Sequence, residues 1–514
     1  MIDSFKLGAS AGKATDTEMP LFTIEEVLEV TSARLLAGEC LQEKIRRLST
    51  DSRTVGPGDL FVALAGERYD GHAFVGPALR QGAVGAVVQS AYRLPAALQE
   101  RSKGAMRGRE RSRICLIGVQ DPLLAYQQLA TYHRSRFNIP VVAVTGSNGK
   151  TTTKEMVARV LAERWCVLKT EGNHNNRIGV PQTLLGLAAR HKAAVIEMGV
   201  DQKGQTTKLA EIVRPTIGVI TNIGPDHLEF FGTMEASAQA KGELLDAIGP
   251  NHTVILNADD EFFDYLASRA RCRVVSFGLS PRAQVRAVEV ISDRQRGTLF
   301  RLTLPGRSTA VPVAIGAYGS HNVSNALAAA AVGHLCGMSG ISIARGLARF
   351  RPATMRSEVE SRKGVTVIND CYNANPASMK AAIDLLNDLG VGARTIAVLG
   401  DMLELGPGSP AMHREVGAYV AAKDISYLVA CGALGRELAE GARAVGMPDE
   451  RIRHISDADE AAHLMTSMVR RNDVILVKAS RAMRMECIVE ALRDRLSARI
   501  SGGRLISSAK GRKS

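Results

Sequence analysis

The sequence predicts an α/β protein of three domains, and three observations lead there. A chain of 514 residues exceeds what one ordinary core encloses and implies roughly two to four domains. From Pro140 onward, short runs rich in Val, Ile and Ala alternate with helical stretches, as a mostly parallel sheet covered by helices requires. That alternation starts again after Pro352, beyond a hairpin-like stretch and an Ala-rich helix.

Taken in order, residues 1–20 are polar, lack the apolar core of a signal peptide and read as a disordered extension. Residues 21–138 form a small α/β domain with strands at 59–64, 85–88 and 114–117. Asp121 then opens an amphipathic helix to about residue 137, with Pro122 in its first turn. The central domain, 139–350, is mostly parallel, with strands at 141–144, 193–196, 217–221, 254–257 and 274–277. It closes with the hairpin-like segment 283–315 and a helix over 322–335. The C-terminal domain, 351–500, is a doubly wound, Rossmann-like unit with strands at 365–369, 395–399, 427–430 and 474–477. Residues 501–514 are a basic tail.

Composition excludes several classes of protein. No run of about 18 apolar residues exists, so no membrane span is expected. The net charge of +13 resembles that of a nucleic-acid binder, but it is concentrated in two short segments. Residues 101–113 hold net +5 and residues 493–514 net +6, while aromatic residues, which make stacking platforms, are 4% of the chain. These segments read as solvated loop and tail, and nucleic acid is not an expected partner. Eight cysteines are scattered singly with no Cys-x-x-Cys pair, which argues against zinc or a disulfide framework and for a reducing cytoplasm.

The clearest chemical signal is Val141-Val-Ala-Val-Thr145-Gly146-Ser147-Asn148-Gly149-Lys150-Thr151-Thr152: a buried strand, a glycine loop and a helix start. Glycines let backbone N–H groups turn toward phosphate oxygens, and the helix N-terminus adds positive potential. Lys150 reaches the terminal phosphates and the Thr151 hydroxyl is placed to ligate magnesium. Val144 stands where the commonest form of such a loop has its first glycine, so this is a shortened variant. The loop specifies nucleotide phosphate binding and leaves kinase, ATPase and ligase open. Two other features add to it: Glu197 ends one buried strand, and Pro225-Asp226-His227 follows the next. In doubly wound sheets such strand ends bind ligands, so Glu197 and His227 are candidates to share a metal at the loop.

Thr145-Gly-x-x-Gly-Lys-Thr-Thr152 resembles the loop of the Mur ligase and folylpolyglutamate synthetase superfamily, and the likeness extends over about 480 residues. The resemblance implies an enzyme that phosphorylates a carboxylate with ATP and lets an amine attack the acyl phosphate. It implies Thr151, Glu197, His227 and Lys241 as the magnesium site, with Lys241, in Ala240-Lys-Gly-Glu243, as a carbamate. A carbamate offers anionic oxygens to a hard cation that an ammonium would repel. Lys150, Glu197, His227 and Lys241 are the implied catalytic residues. The ATP site comprises Thr145, Gly146, Ser147, Asn148, Gly149, Lys150, Thr151 and Thr152, with Asn322 and Asn325 of His321-Asn-Val-Ser-Asn325 toward adenine. Arg356 and Asp370 resemble C-terminal residues that meet ATP when that domain closes, about a hinge near 350–353.

Ser49, Asp51, Ser52 and Arg53 resemble the family's UDP-sugar-binding first domain, where the planar fork of Arg53 suits a diphosphate. The amides Asn173, Asn175 and Asn176 are candidates to hold peptide or sugar groups without added charge. Tyr372-Asn373-Ala374-Asn375-Pro376 and Gly400-Asp-Met-Leu-Glu404-Leu-Gly406 resemble the members that add D-alanyl-D-alanine, with Asn373 and Asn375 toward substrate. The implied partners are UDP-N-acetylmuramoyl-tripeptide and D-alanyl-D-alanine, and the chain is expected to work as a monomer. Ala479 in Lys478-Ala-Ser-Arg481, and Cys371, depart from the family pattern. A phosphotransferase or ATPase and an anionic-surface binder remain as rival classes. The first leaves the Ser-Thr-Asp-Ser-Arg domain unexplained, and the second rests on the basic segments alone.

Overall fold

The apolar runs become strands buried on both faces. In a computed structural model of the chain, described for residues 21–38, 40–66, 69–94, 114–293 and 296–497, Val141–Thr145 and Ala193–Glu197 are buried at every position. A parallel sheet covered by helices buries such runs on both faces. The extension 1–20, the basic run 101–113 and the tail 501–514 lie outside the described residues.

The chain divides into two compact units, Met1–Phe137 with Leu184–Leu187, and Asn138–Thr183 with Ala188–Ser514. The first unit has a five-stranded sheet in the order Arg34–Ala37, Cys115–Val119, Gly85–Gln89, Asp59–Val62, Arg47–Ser49. Its last four strands are parallel and Arg34–Ala37 runs antiparallel at the edge. Asp121 caps the helix Pro122–Ser135 by accepting from Leu123 N at 2.8 Å, as the Asp-Pro start predicts. Scattered thiols are not the whole account of the cysteines. Buried Cys40 and Cys115 lie with Cα atoms 6.5 Å apart, within disulfide reach, although 75 residues separate them in sequence. Edge-strand pairing brings them together, and no sequence spacing signals it.

The second unit contains two sheets. One has nine strands, in the order Val311–Ile315, Gly297–Thr303, Val285–Asp293, Arg273–Gly278, Thr253–Asn257, Ile217–Ile220, Val141–Thr145, Ala193–Glu197, Val167–Lys169. The seven from Val285–Asp293 to Val167–Lys169 are parallel, and the hairpin-like stretch extends them as an antiparallel edge. The helix Ser320–Leu335 is buried along Ala326–Val332. It packs with the helix Lys150–Leu161 over the buried face of this sheet. Alanine, with the highest helix propensity and no bulk, lets helix and strands approach closely.

The other sheet has the order Glu358–Arg362, Val365–Asp370, Asp473–Lys478, Arg394–Leu399, Tyr427–Cys431, Ile452–Ile455, all parallel except the first pair. Its two faces close separate cores, one around Leu386, Leu399 and Leu476 and the other around Ile396, Val477 and Ile488. Cores on both faces are what a doubly wound sheet requires. Among the described residues no helix is long and apolar enough to cross a membrane.

Candidate active site

The phosphate loop issues from the Val141–Thr145 strand, whose neighbours are the Glu197 strand on one side and the Ile217–Ile220 strand on the other. Gly146 has φ +137° and Gly149 φ +78°. A Cβ on Gly146 would meet Thr221 Oγ1 at 2.0 Å, and one on Gly149 would meet Asn325 Oδ1 at 2.3 Å. Both positions therefore demand glycine for conformation and for space. The loop is clamped from the adjacent strand end. Asn222 Oδ1 accepts from Asn148 N at 2.9 Å, while Thr221 Oγ1 and Asn222 Nδ2 donate to Asn148 O at 2.6 and 3.0 Å. Lys150 Nζ donates to the carbonyls of Gly146 and Ser147, at 2.6 and 3.0 Å. Helical N–H groups at the start of Lys150–Leu161 are thus presented by a loop already held in shape.

Glu197 is buried at the end of its strand. Its Oε1 accepts from Thr151 Oγ1 at 3.1 Å and from Asn175 Nδ2 at 2.9 Å. Its Oε2 finds no hydrogen-bond partner among the described residues, and the buried Lys154 ammonium stands 3.9 Å away. A buried carboxylate oxygen without a donor, beside a threonine hydroxyl at a phosphate loop, fits a hard cation completed by phosphate oxygens. Among the described residues no three His, Cys, Asp or Glu side chains converge as a self-sufficient cage. Magnesium, which keeps waters and shares substrate phosphates, does not need one.

Lys241 lies buried on the helix Met234–Ala247, its Nζ donating to Asp226 Oδ1 at 3.0 Å and Ser237 Oγ at 2.6 Å, over the Phe231 ring. Burial pushes its pKa below the usual amine range. The Lys150 charge acts in the same sense, and Asp226 opposes both. For Asp226, burial works to raise the pKa but is outweighed by Lys241, Lys150 and the 2.6 Å hydrogen bond from Ser147 Oγ, so the carboxyl is held below its ordinary range. Asp226 thereby ties Lys241 to the phosphate loop. His227 sits with φ +51° just before the helix Leu228–Phe231, its Nδ1 2.6 Å from Glu404 Oε2 of the C-terminal sheet's loops.

Other candidates fall into separate clusters. Asn375 caps the helix Pro376–Leu389 and donates from Nδ2 to Asn148 Oδ1 at 2.9 Å, so the C-terminal domain touches the phosphate loop. Asp370 accepts from Lys478 Nζ at 2.6 Å and from Ser357 N at 2.8 Å. Arg356 stacks 3.8 Å over the Tyr372 ring. Asn373 is exposed, and its carbonyl accepts from Lys478 Nζ at 2.8 Å. Asn322 and Asn325 are buried; Asn325 Oδ1 accepts from Thr153 Oγ1 at 3.1 Å, behind the loop. Asn173 is exposed, and Asn176 Oδ1 accepts from Ile178 N and Gly179 N. In the first unit, Ser49 to Arg53 follow the C-terminal end of the Arg47–Ser49 strand, where Arg53 forks onto Asp51 at 2.9 and 2.8 Å.

Sequence reading passes over Asp226, Asn222, Lys154 and Glu404. The Pro-Asp-His turn contains the signal for Asp226, since any carboxylate there stands beside the loop strand. Glu404 is marked only as part of the Gly400–Gly406 motif, with no sign of its partner, and nothing local distinguishes Asn222 and Lys154.

Three family models match the chain: the Mur ligase family catalytic domain over residues 44–130, the Mur ligase middle domain over 144–333, and the Mur ligase glutamate ligase domain over 355–481. The chain belongs to the Mur ligase family, all three of whose domain models it matches in order along its length. Its relatives include the UDP-N-acetylmuramoyl-tripeptide--D-alanyl-D-alanine ligase of Bacillus subtilis, 35% identical over 91% of this chain and 98% of that protein. The enzyme of the same name from Escherichia coli is 32% identical over 92% of this chain and 98% of its own length. Among solved structures, MurF from Acinetobacter baumannii superposes with a TM-score of 0.83 at 31% identity, covering 93% of this chain and 99% of that one. The MurF ligase from Thermotoga maritima in complex with ADP gives 0.75 at 26%, covering 88% and 97%.

Proposed function

We propose that the chain is an ATP- and magnesium-dependent ligase that joins D-alanyl-D-alanine to the terminal carboxyl of UDP-N-acetylmuramoyl-tripeptide. That reaction belongs to peptidoglycan precursor synthesis, with the enzyme acting as a monomer in the cytoplasm. The similarity to D-alanyl-D-alanine ligases over about nine tenths of the chain carries the reading. Its nucleotide chemistry is supported by the convergence at one sheet end of the glycine loop, Lys150 and buried Glu197, whose Oε2 has no hydrogen-bond donor among the described residues.

The chemistry follows from the residues. The tripeptide carboxylate oxygen attacks the γ-phosphorus of ATP, the β–γ bridging bond breaks, and its electron pair leaves with ADP. Lys150 moves from the Gly146 and Ser147 carbonyls onto the terminal phosphate, where charge builds in transfer. Glu197 and Thr151, with His227 and Lys241, would hold magnesium, which supplies charge neutralisation at the phosphates. The amine of D-alanyl-D-alanine then attacks the acyl carbon, phosphate departs with the electron pair of the acyl oxygen bond, and the nitrogen sheds a proton. Asn148, touched by Asn375, links the loop to the domain that brings the second substrate.

Lys241 works in this reading as a carbamate: its neutral amine attacks carbon dioxide and the product loses a proton. Burial and the Lys150 charge, which both lower its pKa, support the neutral amine that this step needs. Ser49, Asp51, Ser52 and Arg53 take the UDP-sugar, with Arg53 exchanging Asp51 for the diphosphate. ADP release that requires both UDP-muramoyl-tripeptide and D-alanyl-D-alanine, with product mass spectrometry on lysine- and diaminopimelate-containing tripeptides, tests the assignment. Release of ADP with neither substrate, and no peptide product, would leave an ATPase instead.

A further inference from the structure

Glu404 makes a contact that the reaction as derived does not use. It lies in Asp401-Met-Leu-Glu404-Leu-Gly406, after the Arg394–Leu399 strand, and this loop is fixed from several sides. Asp401 Oδ1 accepts from Leu434 N at 3.0 Å, and Ser480 N donates to Asp401 O at 3.1 Å. Met402 N donates to Nε2 of the buried His413 at 2.9 Å, and Leu403 N to Ser480 Oγ at 2.9 Å. Glu404 follows in a left-handed conformation, φ +62°, that non-glycine residues rarely hold without surrounding constraint.

The surface it meets has matching constraint. His227 is itself left-handed at φ +51°, Glu229 N donates to Glu404 O at 3.2 Å, and Gly406 lies so close that a Cβ would stand 3.3 Å from Glu229 Cα. At the centre of this dock, Glu404 Oε2 is 2.6 Å from His227 Nδ1. A carboxylate only accepts, so His227 Nδ1 donates in this contact, and Nε2 is the ring nitrogen left to meet a cation. That is the tautomer and the fixed ring a metal-ligating histidine takes from its outer partner.

We propose that Glu404 is a positioning residue. From the C-terminal domain it orients His227 of the central domain for magnesium, so the cation site is complete only while the two domains are docked. The inference rests on the reading of His227 as a magnesium ligand. It gives the Gly400–Gly406 motif a task in the central domain's chemistry and explains the rigid mounting of its loop on Asp401, His413 and Ser480. Removing such a partner from a metal-bound histidine weakens metal affinity by about 10–100-fold.

The test uses the full chain with a non-hydrolysable ATP analogue and Mn2+ as a paramagnetic probe, titrated by electron paramagnetic resonance. E404A is expected to weaken Mn2+ binding by at least about tenfold, with the melting temperature of the apo-protein unchanged. E404Q keeps an oxygen that accepts from Nδ1–H and is expected to stay within about threefold of wild type. A raised magnesium requirement with an unchanged KM for D-alanyl-D-alanine is the matching kinetic signature for E404A. Wild-type Mn2+ affinity in E404A, alongside weakened affinity in H227A, overturns the positioning role alone. Wild-type affinity in H227A removes the ligand reading and this inference with it.

Discussion

At the scale of single residues, the site depends on charges held where the ordinary surroundings would not hold them. Lys150 rests on two loop carbonyls, and the proposed reaction moves it from them onto a terminal phosphate. K150A is expected to lower turnover by about 100-fold or more while circular dichroism and melting temperature stay as in wild type. A loss under about tenfold would remove Lys150 from the reaction. K241A is expected to be nearly inactive and partly restored by a short carboxylic acid in solution; absence of any rescue in a folded K241A variant would count against the carbamate. The cysteines give an independent check on burial. Desolvation pushes the Cys431 thiol up to about 12 and Cys371 higher still, whereas Cys166 is exposed. A thiol reagent at about pH 8 should label Cys166 rapidly and reach Cys371 and Cys431 only on unfolding, as peptide mapping would read. At this scale the sequence is legible where chemistry is contiguous, as from Thr145 to Thr152. Asp226, Lys154 and Glu404 were not legible as partners, because contacts such as Glu404 with His227 span 177 residues and depend on how two sheets dock.

At the scale of elements, legibility followed burial. Strands covered on both faces announce themselves as apolar runs. The edge strands Arg34–Ala37 and Glu358–Arg362, half-exposed and charged, had no such pattern, nor did Ile452–Ile455, with two exposed residues at its centre. Helix packing offers a sharper case. The helices Ser409–Ala422 and Gly435–Ala444 cross so closely that a Cβ on Gly417 would lie 1.9 Å from Leu438 O, and one on Gly441 2.0 Å from Arg414 O. Alanine has the better helix propensity, yet here the backbone leaves it no room. G441A should therefore destabilise the chain by about 1–3 kcal/mol in urea unfolding, against the propensity gain of up to about 1 kcal/mol that an open helix surface would give. An unchanged or higher midpoint would show that the two helices can separate at little cost.

At the scale of the whole molecule, the two compact units each enclose their own core. Calorimetry should then resolve more than one transition, and a nucleotide analogue with magnesium at about 100 times its Kd should raise only the transition of the unit holding the glycine loop, by the equivalent of about 2.7 kcal/mol. A single transition moving as one would show that the units unfold together. The basic C-terminal end of the sequence makes a different demand. Deletion from Gly502 onward removes a segment without hydrophobic periodicity, and ligase activity of the truncated chain should match wild type.

The loop strand lies between the Glu197 strand and the strand that leads to Thr221, all three parallel and ending at one edge. Neighbouring strands keep a spacing of about 4.8 Å set by backbone hydrogen bonds, whatever side chains they bear. The separations of the glycine loop, Glu197 and Thr221 are in this sense inherited from peptide geometry rather than from any particular aliphatic residue. Exchanging Val142 or Ile196 for another branched side chain leaves that backbone spacing in place, and the ruler that sets loop, carboxylate and clamp apart keeps its divisions.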